Sequence, residues 1–408
     1  MRPSTKRESA RVLNSLPAAL RWSVVFYLIH ILVQGKVAPA EISGFFASLF
    51  LGWAIWKKQA KPGFHILYYP LALYGIVSTV SALAAESRLH SFGESMLWIK
   101  MLIFPTALIL FRNIPVLRNV ALKMHIVAAV VIAAYGIVQY ITQDRRALEN
   151  RITGPSTHVM TYSGLLLAAS LLLLVLAAHR KRPWLIASTA IVSFALLLTF
   201  TRSVWQGWLV AVFVLLTLKR PRLLPIAAGL LLIFVSLMPM DFFSRFVSAF
   251  DVGQSSNLDR IRMAEAGVEM IKDHPVLGVG PANVKEVYPL YRKPDAPRFR
   301  PPHLHNNVIQ LWAERGILAV AAYVLLMGLF LRECAKGWGG PARELAEAGV
   351  AIAVGLAYAG LFEFNFGDTE VFYLTLTLFA LIVAGLEAAR PLGSATNEVS
   401  PAVVPAPA

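Results

Sequence analysis

Arg202, Arg260 and His305 have the types and settings to work on a strongly charged substrate. Arg202 stands in Thr201-Arg202-Ser203, a short turn between two long apolar runs. Ser203 is the expected N-cap of the second run, so the guanidinium sits at a helix end whose dipole is already positive. An ionised side chain at the edge of an apolar medium calls for a partner. Snorkelling toward lipid headgroups is the plainer use of the same residue.

Arg260 lies in Ser256-Asn257-Leu258-Asp259-Arg260-Ile261-Arg262. Ser256 followed by Asp259 resembles a capping box, and Leu258, Ile261, Val268 and Ile271 give a helical apolar stripe. The helix is expected to stop at His274-Pro275, because the residue before proline disfavours the α region. Arg260 and Arg262 then fall in the first turn, where cations are locally unfavourable. Either Asp259 offsets them at a solvated surface, or the helix end and the arginines act on one phosphate.

His305 belongs to His303-Leu304-His305-Asn306, reached through Pro301 and Pro302. The spacing predicts a helix from His305, with Val308, Ile309, Trp312 and Arg315 continuing its face until Gly316 breaks it. His305 then sits above an apolar run, facing the other helices, with Glu314 and Arg315 at the interface. Nearby cations would keep its imidazole neutral and available as a base. The bland alternative is a satisfied core histidine. A His303/His305 metal pair lacks a clear carboxylate or third histidine nearby, so no metal site is expected. The single cysteine, Cys334, excludes an internal disulfide and any Cys-based zinc site. Further candidates for substrate contact are Arg145, Arg146, Arg151, Arg262, His303 and Asn306. Glu363, Asp368 and Glu370 flank the last hairpin, with Asp368 an N-cap or a counter-charge; His30 and His125 read as packing or helix-end residues.

The elements that must position these residues are transmembrane helices. The chain is 57% hydrophobic and 15% charged, where a soluble protein carries about 25% charged residues. The expected spans lie near 17–34, 40–56, 65–84, 96–111, 119–141, 159–178, 184–200, 204–218, 223–240, 316–331, 344–364 and 368–389. This makes an all-α polytopic membrane protein of about 12 transmembrane helices with a helical loop region. Its parts are a cytoplasmic segment 1–16, helices over 17–240, a periplasmic loop 241–315, helices over 316–390 and a disordered cytoplasmic tail 391–408. The net charge of +15 comes from basic hairpins, as insertion requires, and does not imply nucleic acid. Lys57, Lys58 and Lys61, then Arg112 and Arg118, then Arg180 to Arg182, mark one side as cytoplasmic, with both termini there. Arg145, Arg146, Arg151, Arg202 and the arginines of 241–315 fall on the other side, against that rule. The basic start, apolar Trp22 to Val33 and Ala38-Pro39-Ala40 mimic a cleavable signal peptide, but the next apolar run begins at once and favours a retained helix.

Three stretches resemble the O-antigen ligase and polymerase family of membrane glycosyltransferases. His305-Asn306, nine residues and Gly316 are similar to its His-Asn signature, with Glu314 in its usual place and Ala319 where Gly is common. Lys272 to Pro281 resembles its turn after the arginine-bearing helix, and Thr201-Arg202-Ser203 its other arginine motif in shorter form. The likeness covers about residues 150–385. It implies a C-type glycosyltransferase fold, an undecaprenyl-pyrophosphate-linked glycan donor and metal-independent, inverting transfer in the periplasm, without a cofactor. It also implies pyrophosphate binding by Arg202 and Arg260, with His305 at the acceptor hydroxyl. A ligase joining O-antigen to lipid A-core, in the bacterial inner membrane, is the leading expectation. An O-antigen polymerase or a protein oligosaccharyltransferase shares the chemistry. A lipid-linked glycan transporter would instead show mid-span ionisable groups and pseudo-repeats, and neither stands out.

Overall fold

In a computed structural model the apolar runs form a helical bundle, and the long loop folds as a smaller helical cap on one end. The structure describes residues 12–13, 15–95, 98–143, 151–236, 240–248, 251 and 253–390. Residues 1–11 and the expected tail 391–408 lie outside the described residues.

The chain passes through α1 (Ala18–Val33), α2 (Val37–Trp56), α3 (Tyr68–Ala84) and the short α4 (Arg88–Ser95) and α5 (Trp98–Met101). It continues in α6 (Ile103–Asn113), α7 (Pro115–Thr142), α8 (Val159–Arg180) and α9 (Pro183–Leu198). Next come α10 (Arg202–Lys219), α11 (Leu224–Ser236) and α12 (Met240–Val247). The cap consists of α13 (Ser255–Asp273), α14 (Val284–Tyr291) and α15 (Asn307–Arg315). Then α16 (Ile317–Lys336), α17 (Arg343–Ala359) and α18 (Thr369–Ala388) complete the bundle. No strand occurs among the described residues.

This is an all-helical membrane protein. Five helices, α2, α7, α8, α16 and α18, are long and apolar enough to cross a membrane by length and composition. Against the expectation of about 12 spans, several other apolar helices are shorter. The expected run 96–111 is divided between α5 and α6, and the run 223–240 holds α11 over Leu224–Ser236, with residues 237–239 outside the described residues. At 1.5 Å per residue, a helix of α6's length covers only part of a hydrocarbon core about 30 Å thick. α8 and α18 are largely buried, while Ile76, Val131 and Phe213 project from the outer surface. That apolar exterior suits a lipid solvent.

The basic hairpins gather at one end. There Arg112 pairs with Glu387 at 2.6 Å, Arg180 with Glu344 at 2.5 Å, and both His179 and Lys219 with the buried Glu347. The cap sits on the opposite end. Ser81 of α3 donates to Leu277 O at 2.6 Å, and Asn307 N donates to Gly360 O at 2.7 Å.

The cap has its own apolar core of Met263, Ala266, Met270, Val284, Tyr288, Leu304 and Ala313. Two glycines lock its parts together. Gly278 (φ +68°) lies against the backbone of Glu314 and Arg315, and Gly316 (φ +79°) against that of Val276 and Leu277. Both need the left-handed region and neither has room for a Cβ, because backbone is the obstacle. Val279 N donates to Ala313 O at 2.8 Å and Gly280 N to Glu314 O at 2.9 Å across the same contact. The turn after α13 is thereby clamped to the end of α15, so the arginine-bearing and histidine-bearing segments form one unit.

Candidate active site

The expected helix starts shift toward the N-terminus. Thr201 occupies the N-cap position of α10, so Arg202, not Ser203's successor, is the first helical residue. α13 begins at Ser255 after Gln254, and no side chain caps it. The Ser256–Asp259 capping box is therefore not formed, and Arg260 and Arg262 lie beyond the first turn. Asp259 is instead buried and pairs with Arg298 at 2.9 Å. The helix does end at His274, as the following proline requires.

The buried Arg202 reaches across to the start of α13. Its guanidinium donates to Gln254 Oε1 at 2.7 Å, Ser256 Oγ at 3.1 Å and Asn257 Oδ1 at 2.7 Å, and also to Ser248 O. Arg260 is about one turn further along the same helix. It is half-buried and forms no hydrogen bond or ion pair among the described residues. Burial lowers its pKa, opposed by the charges of Glu363 and Asp259. The two arginines are thus brought to the first turns of one helix, one held by neutral oxygens and one open to an anion.

His305 is not on a helix. Its backbone is left-handed (φ +52°), and α15 starts two residues later at Asn307. Asn306 is the N-cap: its Oδ1 accepts from Ile309 N at 3.0 Å, and its Nδ2 donates to Leu361 O at 2.9 Å. A shared helical face of His305 with Val308 and Trp312 is therefore overturned, since the cap ends the helix before the histidine. What positions His305 is Glu363, whose Oε2 lies 2.9 Å from Nδ1. His303 approaches the same carboxylate, Nε2 to Oε1 at 3.4 Å, and its ring centroid is 4.2 Å from that of His305.

Burial alone would raise the Glu363 pKa. The hydrogen bond from His305 and the positive potential of His305, His303 and Arg260 prevail and hold it at about 2. Burial pulls His303 down to about 4, with Glu363 opposing. Glu363 is ionised at neutral pH, so it can only accept, and Nδ1 of His305 must donate. A neutral His305 then carries its lone pair on Nε2.

The third metal-ligand type that the sequence lacks near the histidines is supplied by the fold. Donor atoms of His303, His305 and Glu363 all lie within 4.8 Å of one another. The cationic Arg260 beside Glu363 disfavours a dication there.

The other candidates divide. Arg262 is engaged by Glu265 at 2.8 Å and Asp295 at 2.6 Å. Arg145 and Arg146 lie outside the described residues, and Arg151 is half-buried in the segment before α8. Glu314 and Arg315, expected at the interface, form a buried ion pair. Asp368 is an N-cap, accepting from Val371 N at 3.2 Å. Glu363 is the candidate site residue that the sequence places only at a hairpin. Its signal in the sequence is faint, because the outer segments carry other acids, such as Asp259 and Asp295.

Residues 187–324 match the sequence model of the O-antigen ligase family. This segment is similar to the O-antigen ligase family. The match spans about a third of the chain and includes Arg202, Arg260 and His305. Glu363 lies beyond the matched residues and reaches His305 from the last hairpin. A comparison with curated proteins gives no match.

Proposed function

We propose that this protein is an O-antigen ligase. It transfers O-antigen from undecaprenyl pyrophosphate to lipid A-core oligosaccharide at the periplasmic face of the bacterial inner membrane. The observation that carries this reading is the His305–Glu363 pair set within electrostatic reach of Arg260, itself one turn from the Arg202 contacts.

Transfer needs a leaving pyrophosphate, an oriented hydroxyl and a place for one proton. Arg260, aided by Arg202 once phosphate oxygens replace some of its neutral partners, stabilises the charge developing on the pyrophosphate. Nε2 of His305 takes the proton of the acceptor hydroxyl as its oxygen attacks the anomeric carbon. The new glycosidic C–O bond forms as the bond to the phosphate oxygen breaks, on the opposite face, so the centre inverts. Glu363 keeps the imidazole in the required tautomer and balances its charge. Arginines and a helix end do the work of a metal ion. The gathering of basic hairpins at the end opposite the site supports a periplasmic orientation.

The test is the lipopolysaccharide of a deletion strain. Core without polymer, with lipid-linked polymer accumulating, is expected. Core bearing a single repeat unit would indicate a polymerase instead, and unchanged lipopolysaccharide would remove both readings.

A further inference from the structure

A cavity of about 220 Å³ lies between α3, α15 and the start of α18, with His303 as one wall. Its aromatic side is built from Tyr74, Phe364, Phe366 and Phe372. Phe366 stands edge-on to Tyr74 at 5.5 Å and to Phe372 at 5.1 Å, which fixes the shape of that side. Its polar side is Gln310, Thr369 and the ion-paired Glu314 and Arg315. Gln310 Oε1 accepts from Leu304 N at 2.7 Å and Glu314 Oε1 from Ala282 N at 3.1 Å, so both side chains are held in place. Aromatic faces opposed by a few fixed polar groups are the composition of a small-ligand site. The volume suits one pyranose ring.

No residue of α10 or α13 lines this cavity, so it stands apart from the two arginines. Its contact with the reaction centre is His303, whose ring lies 4.2 Å from that of His305. We propose that this pocket seats the terminal sugar of the acceptor and selects it. The inference rests on the glycosyl-transfer reading above. A donor sugar would have to stay within bonding distance of the pyrophosphate at the arginines; an acceptor sugar needs only to present one hydroxyl to His305. Selection follows from the fixed positions of Gln310 and Glu314, whose remaining acceptor lone pairs can meet only a sugar hydroxyl placed to match.

Two variants of the full-length protein test it without touching His305 or the arginines. Ala282→Leu adds volume at the cavity wall, and Phe364→Ala removes one aromatic face. Purified protein is assayed with a polyprenyl-pyrophosphate-linked glycan and an acceptor glycolipid, each varied in turn. Both variants should raise KM for the acceptor by roughly tenfold or more, leaving KM for the donor unchanged. An unchanged acceptor KM, or a donor KM raised as much, overturns the proposal. Wild-type protein that transfers nothing to any acceptor would sink the glycosyl-transfer reading itself, which is a different result. If either variant is not monodisperse, wild-type protein is photolysed with an acceptor bearing a diazirine on its terminal sugar. Crosslinks to 302–310 or 364–372 support the pocket, and crosslinks confined elsewhere overturn it.

Discussion

Nδ1 of His305 lies 2.9 Å from Oε2 of Glu363, a pairing between residues 58 apart in the chain. It joins the cap to the last hairpin of the bundle and sets which ring nitrogen can take a proton. Glu363→Gln keeps the size and removes the charge. It should lower kcat by roughly 10²-fold or more, as loss of an orienting carboxylate does elsewhere, while donor binding persists. Full activity in that variant would leave the pair a structural contact only.

The same carboxylate gives a pH dependence of stability. Its pKa is depressed from 4.5 to about 2 in the folded protein. Its contribution is therefore present above 4.5 and lost as pH falls toward about 2. Wild-type Tm should drop more steeply across that window than the Tm of Glu363→Gln. Parallel Tm profiles would show that the carboxylate is not held ionised by its neighbours.

Arg202→Lys and Arg260→Lys should both weaken donor binding, for separable reasons. Arg202 grips several neutral oxygens that tie α10 to α13, so its lysine variant should lose stability as well as affinity. Arg260 has no such bonds among the described residues, so Arg260→Lys should keep its Tm. A lost charge-assisted bond of about 1.5–3 kcal/mol corresponds to roughly 10- to 100-fold in Kd. Normal donor affinity in Arg260→Lys would mean that it supplies only general positive potential.

Much of this site is legible in the sequence, and the gaps have physical causes. The His-Asn spacing to Gly316 and the glycine-rich turn at 278–280 can be read directly, and the clamp between Gly278 and Gly316 explains why they occur together. The register at His305 is not legible from periodicity. The apolar spacing of Val308, Ile309 and Trp312 extrapolates backward past the true start, whereas Asn306, a residue suited to N-caps, ends the helix. Ser256 misleads similarly, because two serines and an asparagine in succession offer several starts for α13 and Gln254 precedes the one adopted. Glu363 is invisible to any local pattern, since only the packing of the last hairpin on the cap brings it to His305. Helix lengths fail for another reason: hydropathy marks an apolar run but not the break between Met101 and Ile103 inside it.

Chelator should leave purified protein active, although His303, His305 and Glu363 offer three donor atoms. Two histidines and a glutamate are a known zinc-binding set, so the experiment discriminates. Activity lost to chelator and restored by one divalent ion would replace the metal-free mechanism.

Cysteines introduced at Lys181 and Pro297 should label from opposite sides of the membrane. The native Cys334 is buried, which keeps background low. Same-side labelling would move the site to the wrong face.

The most direct measurement is single-turnover transfer by His305→Ala, with donor binding determined separately on the same monodisperse sample. A positioned acid–base group contributes about 10²–10⁴-fold, so transfer should fall by that range while donor Kd stays near wild type. His303→Ala should fall less, although it shares Glu363 and lines the neighbouring cavity. Substantial turnover in His305→Ala, with His303→Ala inactive, would assign the proton to the wrong histidine. Loss of donor binding in both would place the histidines at the pyrophosphate and contradict His305 as the acceptor base.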